Sequence, residues 1–315
     1  MTVVDTTPPA ATLPASPTTS DRAELPVGAG PVAAPKIPVS VIIMTKNEES
    51  NIAACLDSVR AFDEVFVVDS HSEDQTCAIS ADRGATVVSF AWNGRYPKKK
   101  QWCLENLPFR HQWVLYVDAD EQMSPELAEE IRGIIAEGPR YTGYFVGFDA
   151  VFFGKALRHG HRTHKLVLFD RSRGRFLDYE DLDVVNMWEV EGHYQPQIDG
   201  PVAALKGRML HKDHKDLFSF FEKLNKYSDW EASLRARGAL RHPDQSTLSP
   251  VRRLLYRLEP FIPLRGVGIF FYSYLFRLGF LDGRAGFYYA MVFGLYHCII
   301  DAKMYEARCK KGPAP

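Results

Sequence analysis

Two carboxylates two residues apart, Asp118 and Asp120, close the apolar run Trp113-Val-Leu-Tyr-Val117. Alternate residues of a strand project to one side, so both acids can face a common ligand if the strand geometry persists. Two hard oxygen donors with open positions suit Mg2+ or Mn2+ shared with a substrate diphosphate, rather than a caged structural ion. Alone the pattern is weak, because a solvated turn leading into a helix at Ser124-Pro125 would read the same way. Two more polar clusters strengthen it. Thr45-Lys-Asn-Glu48 follows Val39-Ser-Val-Ile-Ile-Met44, and Asp69-Ser-His-Ser-Glu-Asp74 follows Val65-Phe-Val-Val68. The sequence has no G-x-G-x-x-G after the first run and no G-x-x-x-x-G-K-[ST], so a diphosphate bound here needs a cation rather than a glycine-rich cradle.

Such clusters meet only if the elements between them are arranged to bring them together. The β-branched run at 39–44 predicts a strand covered on both faces. Ile52, Cys55, Leu56 and Val59 recur at helical spacing, with Ser50 as a candidate cap. Further segments predict a strand at 65–68, a helix at 74–83 stopped by Gly84, a strand at 85–89, a helix at 97–107 and a strand at 113–117. The βαβαβ alternation predicts an α/β fold with a mostly parallel sheet and helices on both faces. Its ligands bind beyond the carboxyl ends of the strands, where the three clusters fall.

Val41-Ile-Ile-Met-Thr-Lys-Asn-Glu48, Val67-Val-Asp-Ser-His-Ser-Glu-Asp-Gln-Thr76 and Trp113-Val-Leu-Tyr-Val-Asp-Ala-Asp-Glu121 together resemble family 2 glycosyltransferases of the Rossmann-like GT-A fold. The resemblance runs from about Pro38 to Lys226. Arg158-His-Gly160, Lys165-Leu-Val-Leu-Phe-Asp170, Gly200-Pro-Val202, Leu210-His211 and Glu222-Lys-Leu-Asn-Lys-Tyr-Ser228 are similar to the bacterial branch that includes lipopolysaccharide-core β-glucosyltransferases. The resemblance implies metal-dependent, inverting transfer of one sugar from a nucleotide-sugar, usually UDP-linked, with Mg2+ or Mn2+ as cofactor. It also implies that Thr45, Asn47 and Glu48 meet the nucleotide, Asp69 with Ser70 the base, Asp118 the ribose or diphosphate, and Asp120 the metal. His211 is expected near the nucleotide or as a further metal ligand, and His214 at the surface.

Inversion requires a carboxylate opposite the leaving group to take the acceptor proton. Related enzymes carry a Val-His-Glu-like motif ahead of a Leu-His pair. Here Asn186-Met-Trp-Glu189 precedes Leu210-His211, with Trp188 in place of the usual His, so Glu189 is the favoured base and Asp181 or Asp183 the alternative. In Lys98-Lys-Lys-Gln101 a solvated helix end is the first reading, with Lys100 or Gln101 facing the donor as the functional one. Arg158, His159 and His161 are expected on the acceptor side.

The 315 residues, 46% hydrophobic and 24% charged, are incompatible with a wholly disordered, collagen-like or coiled-coil chain. Residues 1–200 hold 19 Lys/Arg against 29 Asp/Glu, and residues 201–315 hold 19 against 10, so the near-neutral total hides an acidic part followed by a basic one. Three regions are expected: a Pro/Ala/Thr-rich disordered tail at 1–36, a GT-A domain at 37–215 and a helical region at 216–315. The tail lacks the basic and apolar segments of a secretory signal, and five scattered cysteines argue against a disulfide framework, so a cytoplasmic setting is expected.

Aromatic runs after Pro260, punctuated by Arg252, Arg253, Arg257, Arg265, Arg277 and Arg284, are too short to span a bilayer. They read as interfacial helices on the anionic inner face of the cell membrane, the alternative being a buried helical hairpin. The expected acceptor is a lipid-linked or envelope saccharide. Two other readings carry less support. A nucleotidyltransferase would need a glycine-rich basic loop where Thr45-Lys-Asn-Glu-Glu49 stands, and an inactive membrane adaptor would not need the retained carboxylates. No nucleic-acid-binding motif occurs, and neither does the Q-x-x-R-W of processive synthases.

Overall fold

A computed structural model describes residues 35–184, 187, 189–191, 195–212, 216–237 and 265–310. The tail up to Ala34, Trp188, His214, Arg252, Arg253 and Arg257 lie outside the described residues.

The expected alternation opens the chain: β1 (Ile37–Thr45), α1 (Ile52–Ser58), β2 (Phe62–Asp69), α2 (Thr76–Asp82), β3 (Thr86–Ser89), α3 (Lys99–Asn106) and β4 (Trp113–Asp118). β1 is buried at every position but Pro38, as a central strand with both faces covered must be. Asn51, not Ser50, precedes α1, and it donates from Nδ2 to Glu48 instead of capping a backbone N–H. After β4 come β5 (Glu121–Met123), α4 (Pro125–Glu137), β6 (Gly143–Phe152), β7 (Lys155–Ala156), β8 (Thr163–Asp170), β9 (Gly174–Arg175), β10 (Gln197–Ile198) and β11 (Val202–His211). Ser124 caps α4 by accepting from Leu127 N, with Pro125 in the first turn as the sequence predicts.

The main sheet runs β3-β2-β1-β4-β8-β6-β11-β5, with β7 on β6. β1, β2, β3 and β4 are mutually parallel, but β8 is antiparallel to both β4 and β6, and β5 is antiparallel to β11. The sheet is therefore mixed, which corrects the mostly parallel expectation for its second half. A parallel pair needs a crossover of a dozen or more residues, and the chain between β6 and β8 turns back without a helix. One large core, from Ile37 and Val41 to Met209, Trp230 and Leu234, fills the space between sheet and helices.

The chain from Lys36 onward forms one unit, in which the helical region packs on the sheet. Asp216 caps α5 (Leu217–Ala236) through Ser219 N. Beyond it lie α6 (Arg265–Phe271), a π-helical turn at Tyr272–Phe276, a 3-10 turn at Gly279–Asp282 and α7 (Gly283–Lys310). Gly266 and Gly294 let α6 and α7 touch, since a Cβ on Gly266 would sit 2.2 Å from Gly294 O. Tyr296 OH donates to Glu231 (2.7 Å), tying α7 to α5, and the His161 ring stacks on Phe293 at 3.7 Å, tying α7 to the sheet side. Among the described residues no helix is long and apolar enough to cross a membrane.

Candidate active site

Sheet register brings the three clusters together. Thr45 lies opposite Asp69, and Met44 opposite Asp118, at the carboxyl ends of β1, β2 and β4. The chain then leaves β4 and reaches the far edge of the sheet within two residues, where β5 pairs with β11 and puts Glu121 opposite His211. That jump is held by Lys212 N donating to Asp120 O (2.8 Å). It carries Asp120 to His211, with Oδ2 3.2 Å from Nε2.

These ends open into a cavity of about 930 Å³, lined on its polar side by Thr45, Glu48, Lys100, Asp118, Asp120, Glu189 and His211. The helical region adds aromatic lining, Phe220, Tyr289, Phe293 and Tyr296. Lys165 of β8, which sequence reasoning did not assign, sits between the acids. Its Nζ donates to Asp118 Oδ2 (2.7 Å) and Glu121 Oε1 (2.5 Å), 4.8 Å from the centre of the Phe148 ring. Burial opposes ionisation of Asp118, but the Lys165 ammonium prevails and holds its carboxyl well below the usual carboxylate range. Glu121 is more deeply buried, and burial pushes it up to about 7 despite the same ammonium. The two carboxylates raise Lys165 against its own desolvation. His211 behaves alike: burial disfavours its cation, and the Asp120 carboxylate outweighs that and raises it.

Asp69 is buried and accepts from Thr45 Oγ1 (2.7 Å), Ser72 N (2.7 Å) and Ser72 Oγ (2.6 Å). These hydrogen bonds hold its pKa down against burial. In this structure it builds the floor beneath Thr45 and does not line the cavity. Asn47, at φ 55°, accepts from Glu73 N at Oδ1 and donates its own backbone N–H to Ser72 Oγ, locking the first loop to the second.

The lysine run corrects its surface reading. Lys98 and Lys99 are 2% and 1% exposed. Lys99 Nζ donates to Thr45 O (3.1 Å) and Ser70 Oγ (2.5 Å) and lies 3.9 Å from Glu189 Oε1, so one ammonium joins the first two clusters to the favoured base. Lys100 lines the cavity, whereas Gln101 turns away, accepting from Phe176 N and donating to Glu105. Buried Glu191 accepts from Lys100 N (2.6 Å) and Gln101 N (3.0 Å), satisfying the start of α3.

The two candidate bases part company. Glu189 lines the cavity. Asp181 is 1% exposed and does not line it; Lys98 Nζ (2.7 Å) and Trp230 Nε1 (2.6 Å) both donate to its Oδ2. Asp183 faces solvent, paired with Arg237. Of the acceptor-side residues only His161 lines the cavity. His159 N (2.8 Å) bonds Asp282 Oδ2, its ring approaches Asp282 Oδ1 (3.3 Å), and Arg158 is exposed off the wall. The Lys98 and His159 contacts depend on partners 83 and 123 residues away, and those of Lys99 on partners 29 and 54 residues away, distances at which local patterning gives no signal.

Asp120 and His211 fit a hard divalent cation, offering one oxygen and one imidazole nitrogen that share a hydrogen bond on the cavity wall. Among the described residues no group of three or more His, Cys, Asp and Glu is arranged to hold a metal. A cation here would take further ligands from substrate and water, as Mg2+ does at phosphate sites.

The family model described as glycosyl transferase family 2 matches residues 40–189. An uncharacterised glycosyltransferase of Rickettsia conorii is 44% identical over 109 residues, 34% of this chain; that stretch spans only 38% of the relative's length. The lipopolysaccharide core biosynthesis glycosyltransferase LpsC of Rhizobium meliloti is 28% identical over 285 residues, covering 88% of this chain and 95% of LpsC. Among solved structures, S. aureus TarS 1-349 matches 85% of this chain and 88% of its own at 17% identity, TM-score 0.43. Glucosyl-3-phosphoglycerate synthase of Mycobacterium tuberculosis, solved with Mn2+, UDP and glucosyl-3-phosphoglycerate, matches 39% and 46% at 24% identity, TM-score 0.28.

Proposed function

Since residues 40–189 match the family 2 glycosyltransferase model, we propose that the chain moves one sugar from a nucleotide-sugar, a UDP-sugar by preference, to an envelope saccharide by single inverting displacement. The similarity to LpsC over most of both chains supports an acceptor of the lipopolysaccharide-core class. The acceptor is lipid-linked, and the enzyme works at the cytoplasmic face of the membrane.

The observation that carries this reading is the convergence of Thr45, Lys100, Asp118, Asp120, Glu189 and His211 on one cavity. Thr45, Asn47 and Glu48 frame the nucleotide end, with Asp69 and Ser70 as its floor. Asp120 and His211 hold Mg2+ or Mn2+, which when bound supplies Lewis-acid charge to the departing diphosphate. Lys165 keeps Asp118 ionised and oriented at the ribose or diphosphate, and Lys100 adds a second cation on that side. Glu189 takes the acceptor hydroxyl proton as the acceptor oxygen bonds to the anomeric carbon and the bond from that carbon to the diphosphate breaks. The Lys99 ammonium, 3.9 Å from Glu189 Oε1, ties the base to the first two clusters through Thr45 O and Ser70 Oγ.

Screening nucleotide-sugars by thermal shift with Mn2+ identifies the donor, and the lipid that accumulates in a deletion strain identifies the acceptor. Asp120→Asn is expected to lower transfer by at least about 100-fold with the fold intact. Substantial retained transfer in that variant removes the metal assignment.

A further inference from the structure

The apolar lining of the cavity does not stop at its mouth. Phe152 and Phe153, in the β6–β7 hairpin, line the cavity, and Phe153 is also 57% exposed. From there aromatic rings run outward in unbroken contact. Phe153 meets Tyr288 at 6.0 Å, Tyr288 meets Phe287 at 5.5 Å, Phe287 meets Phe270 at 5.8 Å, and Phe270 meets Phe271 at 5.2 Å. Tyr288, Phe287 and Phe271 are all exposed, as are Phe276 and Leu281 of the connecting turns. On a second side Phe152 touches Phe220, which touches exposed Phe221 on α5. Cavity lining and outer apolar face are thus one continuous surface, built from three stretches of chain far apart in sequence.

Charge says what this surface meets. Within residues 265–300 the exposed charged side chains are Arg277 and Arg284. The single acid there, Asp282, is buried and accepts from His159 N. Over that stretch, short of the mixed charges Glu306, Arg308 and Lys310 at the end of α7, exposed Phe and Tyr with arginine as the only exposed charge suit the headgroup zone, where rings bridge tails and water and guanidinium meets lipid phosphate. An apolar patch of this extent is uncommon on a surface that faces only water.

We infer that the α6–α7 face rests on an anionic lipid surface with the cavity mouth, at Phe153, turned into that interface. A lipid-linked acceptor then keeps its lipid in the bilayer while its saccharide enters the cavity. This rests on the proposed transfer reaction and adds an orientation to it, one that also brings the β6–β7 hairpin into the contact.

The test uses the full chain and vesicles of phosphatidylglycerol and phosphatidylcholine, read by co-sedimentation, with the thermal shift induced by UDP and Mn2+ measured separately. Wild type is expected to sediment with the mixed vesicles at least about 10-fold more than with phosphatidylcholine alone. Phe276→Glu, on the outer face, and Phe153→Glu, at the mouth, are each expected to reduce sedimentation about 10-fold. Phe153→Gln carries the same expectation if the glutamate variant fails to fold. No sedimentation of wild type overturns the proposal, and a dimer on gel filtration would then assign the face to a second copy. Loss in Phe276→Glu with full binding in both Phe153 variants overturns the orientation. Loss of the UDP shift in wild type strikes the donor reading instead and leaves the sedimentation result to be judged by itself.

Discussion

At the residue scale, one cation organises the acidic cluster. Lys165 bonds both Asp118 and Glu121, and Glu121 is 1% exposed while Asp118 is half-buried, so the ammonium is the counter-charge that lets a buried acid and a half-buried one coexist beside Asp120. Removing one member of a buried pair costs about 3 to 5 kcal/mol, because the remaining charge is left without compensation. Lys165→Ala is therefore expected to lower unfolding stability by about 3 kcal/mol in urea titrations and to weaken UDP binding as Asp118 loses its orientation. Unchanged stability would mean that solvent already carries that compensation. The two candidate bases are separable in the same way. Glu189→Gln is expected to keep the UDP-induced thermal shift while losing transfer at least about 100-fold. Asp181→Asn is expected to destabilise the fold by about 3 kcal/mol, since it strips the charge partner of buried Lys98. Full transfer in Glu189→Gln, or loss of transfer in a stably folded Asp181→Asn, exchanges the two assignments.

At the element scale, the site depends on where strands sit in the sheet rather than on their order in the chain. Asp118 and Asp120 are neighbours in sequence, yet one ends the central strand β4 and the other begins the crossing to edge strand β5, beside β11. Alternation therefore predicts the acidic pair and its strand, but not that Asp118 pairs with a lysine and Asp120 with a histidine. The second half of the sheet is less legible for a related reason. Antiparallel strands need no crossover helix, so the βα rhythm that makes β1 to β4 readable stops after α4. The helical region offers a direct test of element packing. A Cβ on Gly294 would come within 2.7 Å of Gly266 O. Gly294→Val is expected to push α6 from α7 and cost about 1 to 3 kcal/mol, read as a lower midpoint in thermal unfolding. An unchanged midpoint would show that the pair repacks without cost.

At the scale of the whole molecule, sheet and helices enclose the cavity together, and His161 marks the seam. Burial, with His297 and Arg277 nearby, lowers its pKa to about 4 while its ring lies on Phe293. A histidine with a depressed folded pKa binds its proton more tightly when unfolded. Its contribution is fully present above the unfolded value of about 6.5 and is lost as pH falls from there toward 4. His161→Phe, which keeps a stacked ring, is expected to reduce the fall in stability between pH 6.5 and 4.5 by about 2 kcal/mol, measured by urea unfolding. An identical pH profile in both proteins would mean that the seam opens to water. By itself the sequence determined the βαβ beginning, the polar clusters at strand ends and the family resemblance, because these follow from local periodicity and from motifs contiguous in the chain. Tertiary structure alone decided that Lys99 is buried, that Lys165 sits between the acids, that Asp181 is buried against Lys98 and Trp230 and that His159 faces Asp282. Each of those outcomes is set by a partner on a distant element, and burial with a counter-charge is a property of the pair rather than of either residue.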